Sequence, residues 1–206
     1  TSTDLHNWTR LPDALVRSNE PAHDDVATWT GSTITAPDGT YHTYYTGMSD
    51  NPVPETQRVL RAISTDLITW HKDPSFVVEA DPRWYETAHV GLWDGEGWRD
   101  PWVFFNEETQ LWNMLVTAHA LTGEKMERGV VGMATSPDLD NWTVVPPITE
   151  PNGGFGQLEV NQVENVNGQW VNIFACLDAE IAERRQTIGG GGTWLAYGQG
   201  PNGPFD

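Results

Sequence analysis

Two carboxylates and a tryptophan fall at corresponding places along this chain. Three aromatic residues follow turn signals: Tyr41, Trp112 and Trp170. Counting back 11 or 12 residues from each reaches Trp29 or Thr30, then Asp100, then Glu159. The segments Trp29-Thr30-Gly31-Ser32, Arg99-Asp100-Pro101 and Leu158-Glu159-Val160 are therefore expected at matching positions of a repeated unit. Two acids at the same end of neighbouring strands would converge on one space, an arrangement that carboxylate chemistry at a glycosidic bond requires. A tryptophan face offers flat apolar area and one N–H donor, which suits a sugar ring. Taken singly, Asp100 could cap its strand with Arg99 as ion-pair partner, and Glu159 could be a solvated loop acid. The shared register, with Trp98 and Trp29 close by, favours the chemical reading.

The elements that must position these residues are visible as repeats. Ser2-Thr3-Asp4-Leu5-His6-Asn7-Trp8 recurs as Ser64-Thr65-Asp66-Leu67-Ile68-Thr69-Trp70 and as Ser136-Pro137-Asp138-Leu139-Asp140-Asn141-Trp142. Ser-x-Asp reads as a side-chain-to-backbone turn, with the tryptophan packing back on a sheet. In step with it come Asp38-Gly39-Thr40-Tyr41, Thr109-Gln110-Leu111-Trp112 and Asn167-Gly168-Gln169-Trp170, each a hairpin turn leading into an aromatic, β-rich strand. Four antiparallel strands per unit, stacked radially, make a β-propeller blade. Residues 1–20 are expected to end one blade, 21–80 and 81–150 to form the second and third, and 151–206 most of a fourth. A ring so begun and ended in mid-course is expected to be completed by further chain. Glu180 to Gln186 reads as a short helical turn or a charged loop, and Gly189 to Gly192 as a hairpin tip.

Composition narrows the partners. The 206 residues carry 11 basic and 29 acidic side chains, a formal net charge of −18. Such a surface repels nucleic-acid phosphates and anionic lipid, so neither is an expected partner. No stretch approaches the roughly 20 apolar residues that span a bilayer. The single Cys176 excludes a disulfide framework, and the six histidines, His89 among them, show no metal-ligand spacing. No metal or cofactor is expected. Most of the eleven tryptophans are expected to fill the core. Asn7 and Asn141 match the glycosylation acceptor pattern, but both lie inside the repeated turn. Asp24 and Asp25 fall off the inner-strand start and are not expected to serve as a nucleophile.

Several of these motifs resemble glycoside hydrolase family 32, the β-fructofuranosidases, inulinases and levanases. Gly97-Trp98-Arg99-Asp100-Pro101-Trp102-Val103 resembles that family's Arg-Asp-Pro motif. Trp29-Thr30-Gly31-Ser32 is similar to its aromatic-(Ser/Thr)-Gly-Ser motif, and Gly156-Gln157-Leu158-Glu159-Val160-Asn161-Gln162 to the segment bearing its acid/base glutamate. The Ser-x-Asp-Leu-x-x-Trp turns and the closing Gly203-Pro204-Phe205-Asp206 also fit. The resemblance implies a five-bladed propeller that cleaves terminal β-fructofuranosidic bonds of sucrose or fructans with retention. It makes Glu159 the general acid/base and Asp100 the transition-state stabiliser, with Arg99 holding the carboxylates in place. Trp29, Thr30 and Ser32 would line the fructose subsite, with Trp98 a further wall.

Two departures stand out. The family's nucleophile is an aspartate in an Asn-Asp-Pro-Asn-Gly-like motif, which occurs nowhere in these residues, and the acid/base glutamate is often followed by cysteine where this chain has Val160. An arabinan- or xylan-cleaving five-bladed glycosidase, a fructosyltransferase and a non-catalytic fructan-binding propeller remain alternatives. Polymeric substrates make secretion the expected location, with the cytoplasm as the alternative.

Overall fold

A computed structural model describes residues 1–19, 21–51, 53–88 and 90–205. Its strands form three antiparallel sheets, each joined in simple up-and-down order. The first contains β1 (Ala27–Thr35), β2 (Tyr41–Ser49), β3 (Thr56–Ser64) and β4 (His71–Lys72). The second contains β5 (Trp98–Asn106), β6 (Leu111–His119), β7 (Gly129–Ser136) and β8 (Thr143–Val145). The third contains β9 (Glu159–Val166), β10 (Gln169–Cys176) and β11 (Gly192–Gly198). The architecture is the all-β propeller that the repeats imply. Residues 1–19 and 21–26 contain no strand. Among the described residues no helix is long and apolar enough to cross a membrane.

The repeated turn is built by its own side chains. Ser136 Oγ accepts the N–H groups of Asp138 (3.2 Å) and Leu139 (2.9 Å), while Asp138 Oδ1 accepts those of Asp140 (3.0 Å) and Asn141 (2.8 Å). Ser64 with Asp66 and Ser2 with Asp4 make the same set. Several backbone N–H groups on one carboxylate hold the Asp66 and Asp138 carboxyls down at about 2. The fourth residue of every copy is driven into the left-handed region: Leu5 at φ 60°, Leu67 at 60° and Leu139 at 70°. Asn7 and Asn141 spend their amides inside the turn, donating to Asp4 and Asp138.

Alternation along β6 sorts its side chains between two cores. Met114, Val116 and Ala118 pack with Tyr44, Val59, Tyr85 and Trp98 between the first two sheets. Leu115 packs with Val131, Phe155, Leu158 and Phe174 between the second and third. Polar ties add to the first contact: Arg61 of β3 donates to the Leu139 carbonyl (3.0 Å) and pairs with Asp140 (2.7 Å) and Asp73 (2.6 Å). The segment ahead of β1 is fastened by Asp24. It is buried and pairs with Lys72, while accepting from Ser18 (2.7 Å) and Tyr45 (3.1 Å). Asp24 is thus a structural acid. A 3-10 turn at Asp178–Glu180 and a short helix α1 (Glu183–Gln186) occupy the stretch expected to be helical turn or loop, and Gly192 opens β11. His89 and Asp206 lie outside the described residues.

Candidate active site

The three inner strands, β1, β5 and β9, each carry one extra residue near the start. Trp29 pairs with Thr46 but Gly31 with Tyr45, Arg99 with Thr117 but Trp102 with Leu115, and Glu159 with Ala175 but Gln162 with Ile173. These are β-bulges, which re-aim side chains at sheet ends. The pairing corrects the register expected from the sequence. Trp29, Arg99 and Glu159 are the equivalent paired residues, and Thr30, Asp100 and Val160 follow them in the bulges. Asp100 and Val160 take left-handed backbone, φ 58° and 54°. The two acids are therefore one position out of step, and the bulge at Asp100 brings them together.

One arginine joins them. Arg99 Nη2 lies 2.6 Å from Glu159 Oε1, and its Nε lies 3.5 Å from Asp100 Oδ2. Arg99 also donates to Gln157 Oε1, and Gln157 Nε2 in turn donates to Glu180 Oε1 (2.7 Å). Asp100 is only 6% exposed. Its Oδ2 accepts from Thr117 Oγ1 (3.0 Å) and from the Val160 N–H (3.4 Å), while Oδ1 has no donor among the described residues. Burial pushes the Asp100 carboxyl above the usual range, against the pull of Arg99 and these donors. Thr46 and Thr117, at equivalent positions of β2 and β6, staple the inner strands. Thr46 Oγ1 accepts the Asp100 N–H (2.9 Å) and donates to the Thr30 carbonyl (3.0 Å). Thr117 Oγ1 also reaches the Leu158 carbonyl (2.9 Å).

Trp29, Thr30, Gln57, Arg99, Asp100, Glu159 and Val160 line one open pocket of about 410 Å³. Trp29 is 42% exposed there, so its ring is free to cover a ligand. Two expected site residues lie elsewhere. Trp98 is fully buried, with Nε1 bonded to the Val78 carbonyl (3.0 Å) and its ring 5.0 Å from that of Tyr85. Alternation explains this: if Arg99 faces the pocket, its neighbour faces the core. Ser32, beyond the bulge, accepts the Val103 N–H (3.0 Å) and clasps β1 to β5.

Gln57 and Gln157 were not singled out in the sequence. Gln157 had a signal, since it lies two residues before Glu159 in the segment that resembles the family's acid/base motif. Gln57 had none, because it comes from the third strand of its sheet. A larger cleft of about 740 Å³ runs between Phe76 and Trp142, but its Arg61 is committed to Asp73 and Asp140. Among the described residues no group of three or more His, Cys, Asp or Glu side chains could hold a metal ion.

A propeller with carboxylates gathered at the ends of adjacent inner strands defines a glycosidase-type architecture. The chain belongs to the glycosyl hydrolases family 32 N-terminal domain, whose profile matches residues 1–188. Solved structures show the same fold. An inulosucrase from Halalkalicoccus jeotgali bound to kestose is 20% identical, with a TM-score of 0.71 over 90% of this chain and 51% of that one. A mutant levansucrase from Bacillus subtilis is 15% identical, with a TM-score of 0.68 over 87% and 52%. The full-length β-fructofuranosidase from Microbacterium saccharophilum K-1 is 16% identical, with a TM-score of 0.66 over 87% and 41%. The chain thus spans about half the length of the solved structures it matches. No curated protein matched the sequence.

Proposed function

We propose that these residues form one side of the active site of a retaining enzyme that cleaves terminal β-fructofuranosidic bonds. The observation that carries this reading is the Asp100–Arg99–Glu159 cluster beside the exposed face of Trp29. Family membership and the fructan-related names of the structural neighbours support it.

In this mechanism a carboxylate nucleophile from outside these 206 residues attacks the anomeric carbon. Glu159 gives its proton to the departing glycosidic oxygen, and a covalent fructosyl-enzyme forms. Glu159 then takes a proton from water as the water oxygen attacks the same carbon and frees the nucleophile. Asp100 accepts hydrogen bonds from ring hydroxyls through its open Oδ1, and these strengthen as positive charge builds on the ring. Arg99 keeps both carboxylates at their stations, and Trp29 covers an apolar face of the sugar.

Release of fructose from sucrose, inulin and levan by the full-length enzyme tests the reading. Glu159→Gln and Asp100→Asn should each lower kcat by several decades with little change in thermal stability. Near-normal turnover in either variant removes that residue from the mechanism. Arabinose release from arabinan without fructose release points to the related glycosidase instead. Similarity to an inulosucrase and a levansucrase supports fructosyl transfer as a second reading of the same site. Product chain length at high sucrose separates transfer from hydrolysis.

A further inference from the structure

Gln57 combines near-complete burial with a free donor at the pocket. It is 6% exposed, yet it lines the space between Trp29, Asp100 and Glu159. Its other polar groups are committed. The backbone N–H donates to Glu96 Oε2 (3.0 Å), and side-chain Oε1 accepts the Trp98 N–H (3.3 Å). A backbone N–H can only donate, so the amide oxygen must face Trp98 and the NH₂ group must face away from it. Nε2 has no acceptor among the described residues and is not sealed from solvent. Its two protons have no acceptor among the described residues and face the pocket.

We propose that Gln57 is a substrate-binding residue whose Nε2 donates to a hydroxyl of the sugar ring held against Trp29 and Asp100; this rests on the reading above. A hydroxyl that donates to Asp100 Oδ1 still has lone pairs to accept from Gln57, so the two side chains can grip one hydroxyl or two neighbouring ones. A neutral amide suits this place. A carboxylate there would face Asp100, Glu159 and the buried Glu96, and like charges at close range disfavour ionisation. Glu96 fixes the strand end that presents the amide, through the Gln57 N–H.

The test is a cycle between the protein and the substrate. Gln57→Met keeps the length of the side chain and removes the donor. It is assayed on the full-length enzyme with a parent fructoside and with analogues lacking one ring hydroxyl each. On the parent substrate kcat/KM should fall about tenfold, the scale of one hydrogen bond to a neutral group in a water-poor site. At one hydroxyl position, the cost of deletion should be about tenfold smaller in Gln57→Met than in the wild type, whatever Asp100 contributes there. Losses that multiply at every position overturn the assignment while leaving the fructosidase reading intact. A wild type inactive on every fructoside defeats that reading and this assignment with it. If Gln57→Met does not fold, the cycle is read with Gln57→Glu, which retains an oxygen for the Trp98 N–H. That variant should lose more activity as pH rises and the introduced carboxyl ionises. A pH-independent loss in Gln57→Glu, with multiplicative effects on the analogues, again overturns the proposal.

Discussion

Beneath the pocket, buried ionisable side chains set how stability varies with pH. Glu96 is 5% exposed, and burial pushes its carboxyl up to about 7 while it accepts the Gln57 N–H. The folded state therefore holds a proton that the unfolded chain releases near the ordinary glutamate value of 4.5. Its stabilising contribution is complete below pH 4.5 and is lost as pH rises through 7. Glu96→Gln should match the wild type in urea unfolding at about pH 5 and exceed it at about pH 8.5, by up to about 3 kcal/mol. An equal fall in stability with pH in both proteins would contradict this. His119, stacked on Trp93 at 4.8 Å, works in the opposite sense. Burial and the charge of Arg99 lower it to about 3, so its contribution is lost as pH falls below 6.5. Asp100 and Glu159 were legible in the sequence because they fall at nearly matching places of the repeated unit, counted back from Trp112 and Trp170. Gln57 was not, since an uncharged amide in a third strand differs from an ordinary polar residue only through what packs around it. Trp98 was misplaced for the same reason, because its orientation follows from the pairing of β5.

At the level of elements, the Ser-x-Asp-Leu turn shows one sequence doing two jobs. The four bonds from backbone N–H groups to the Ser and Asp side chains are the same in each copy, so the turn could be read directly from its residues. What each copy packs against could not. Leu67 is 48% exposed, whereas Leu139 is 2% exposed within the core between the first two sheets. Both have left-handed backbone, which costs a non-glycine residue roughly 1–2 kcal/mol. Leu67→Gly should therefore be neutral or stabilising by up to about 1 kcal/mol, since it relieves that strain and gives up little burial. Leu139→Gly should destabilise by about 2 kcal/mol, because the lost side chain leaves a cavity between the sheets. Thermal or urea unfolding of the two variants checks the contrast, and equal effects would contradict it. The bulges of β1, β5 and β9 lay beyond sequence reading. A single inserted residue is defined by its partner strand, but all three inner strands carry one, so the offset between the acids comes from unequal hairpin turns, in which Trp112 pairs with Phe105 and Trp170 with Asn165.

On the scale of the whole molecule, the candidate site sits where sheets meet. The second sheet supplies Asp100 and Arg99, the third Glu159, and the first Trp29, Thr30 and Gln57. The cores between the sheets, the Ser32 clasp and the threonine staples fix the spacing of these groups, so the site depends on the packing of whole blades. The internal repeats made this architecture legible, because periodicity survives where individual contacts are invisible. Protonation of the leaving oxygen by Glu159, as proposed, is tested by the leaving-group dependence of Glu159→Gln in the full-length enzyme. An aryl fructoside with an acidic phenol needs no proton from the enzyme to depart, whereas sucrose does. Formation of the fructosyl-enzyme should fall by several decades on sucrose and by less than about tenfold on the aryl fructoside. Equal losses on both substrates would contradict it.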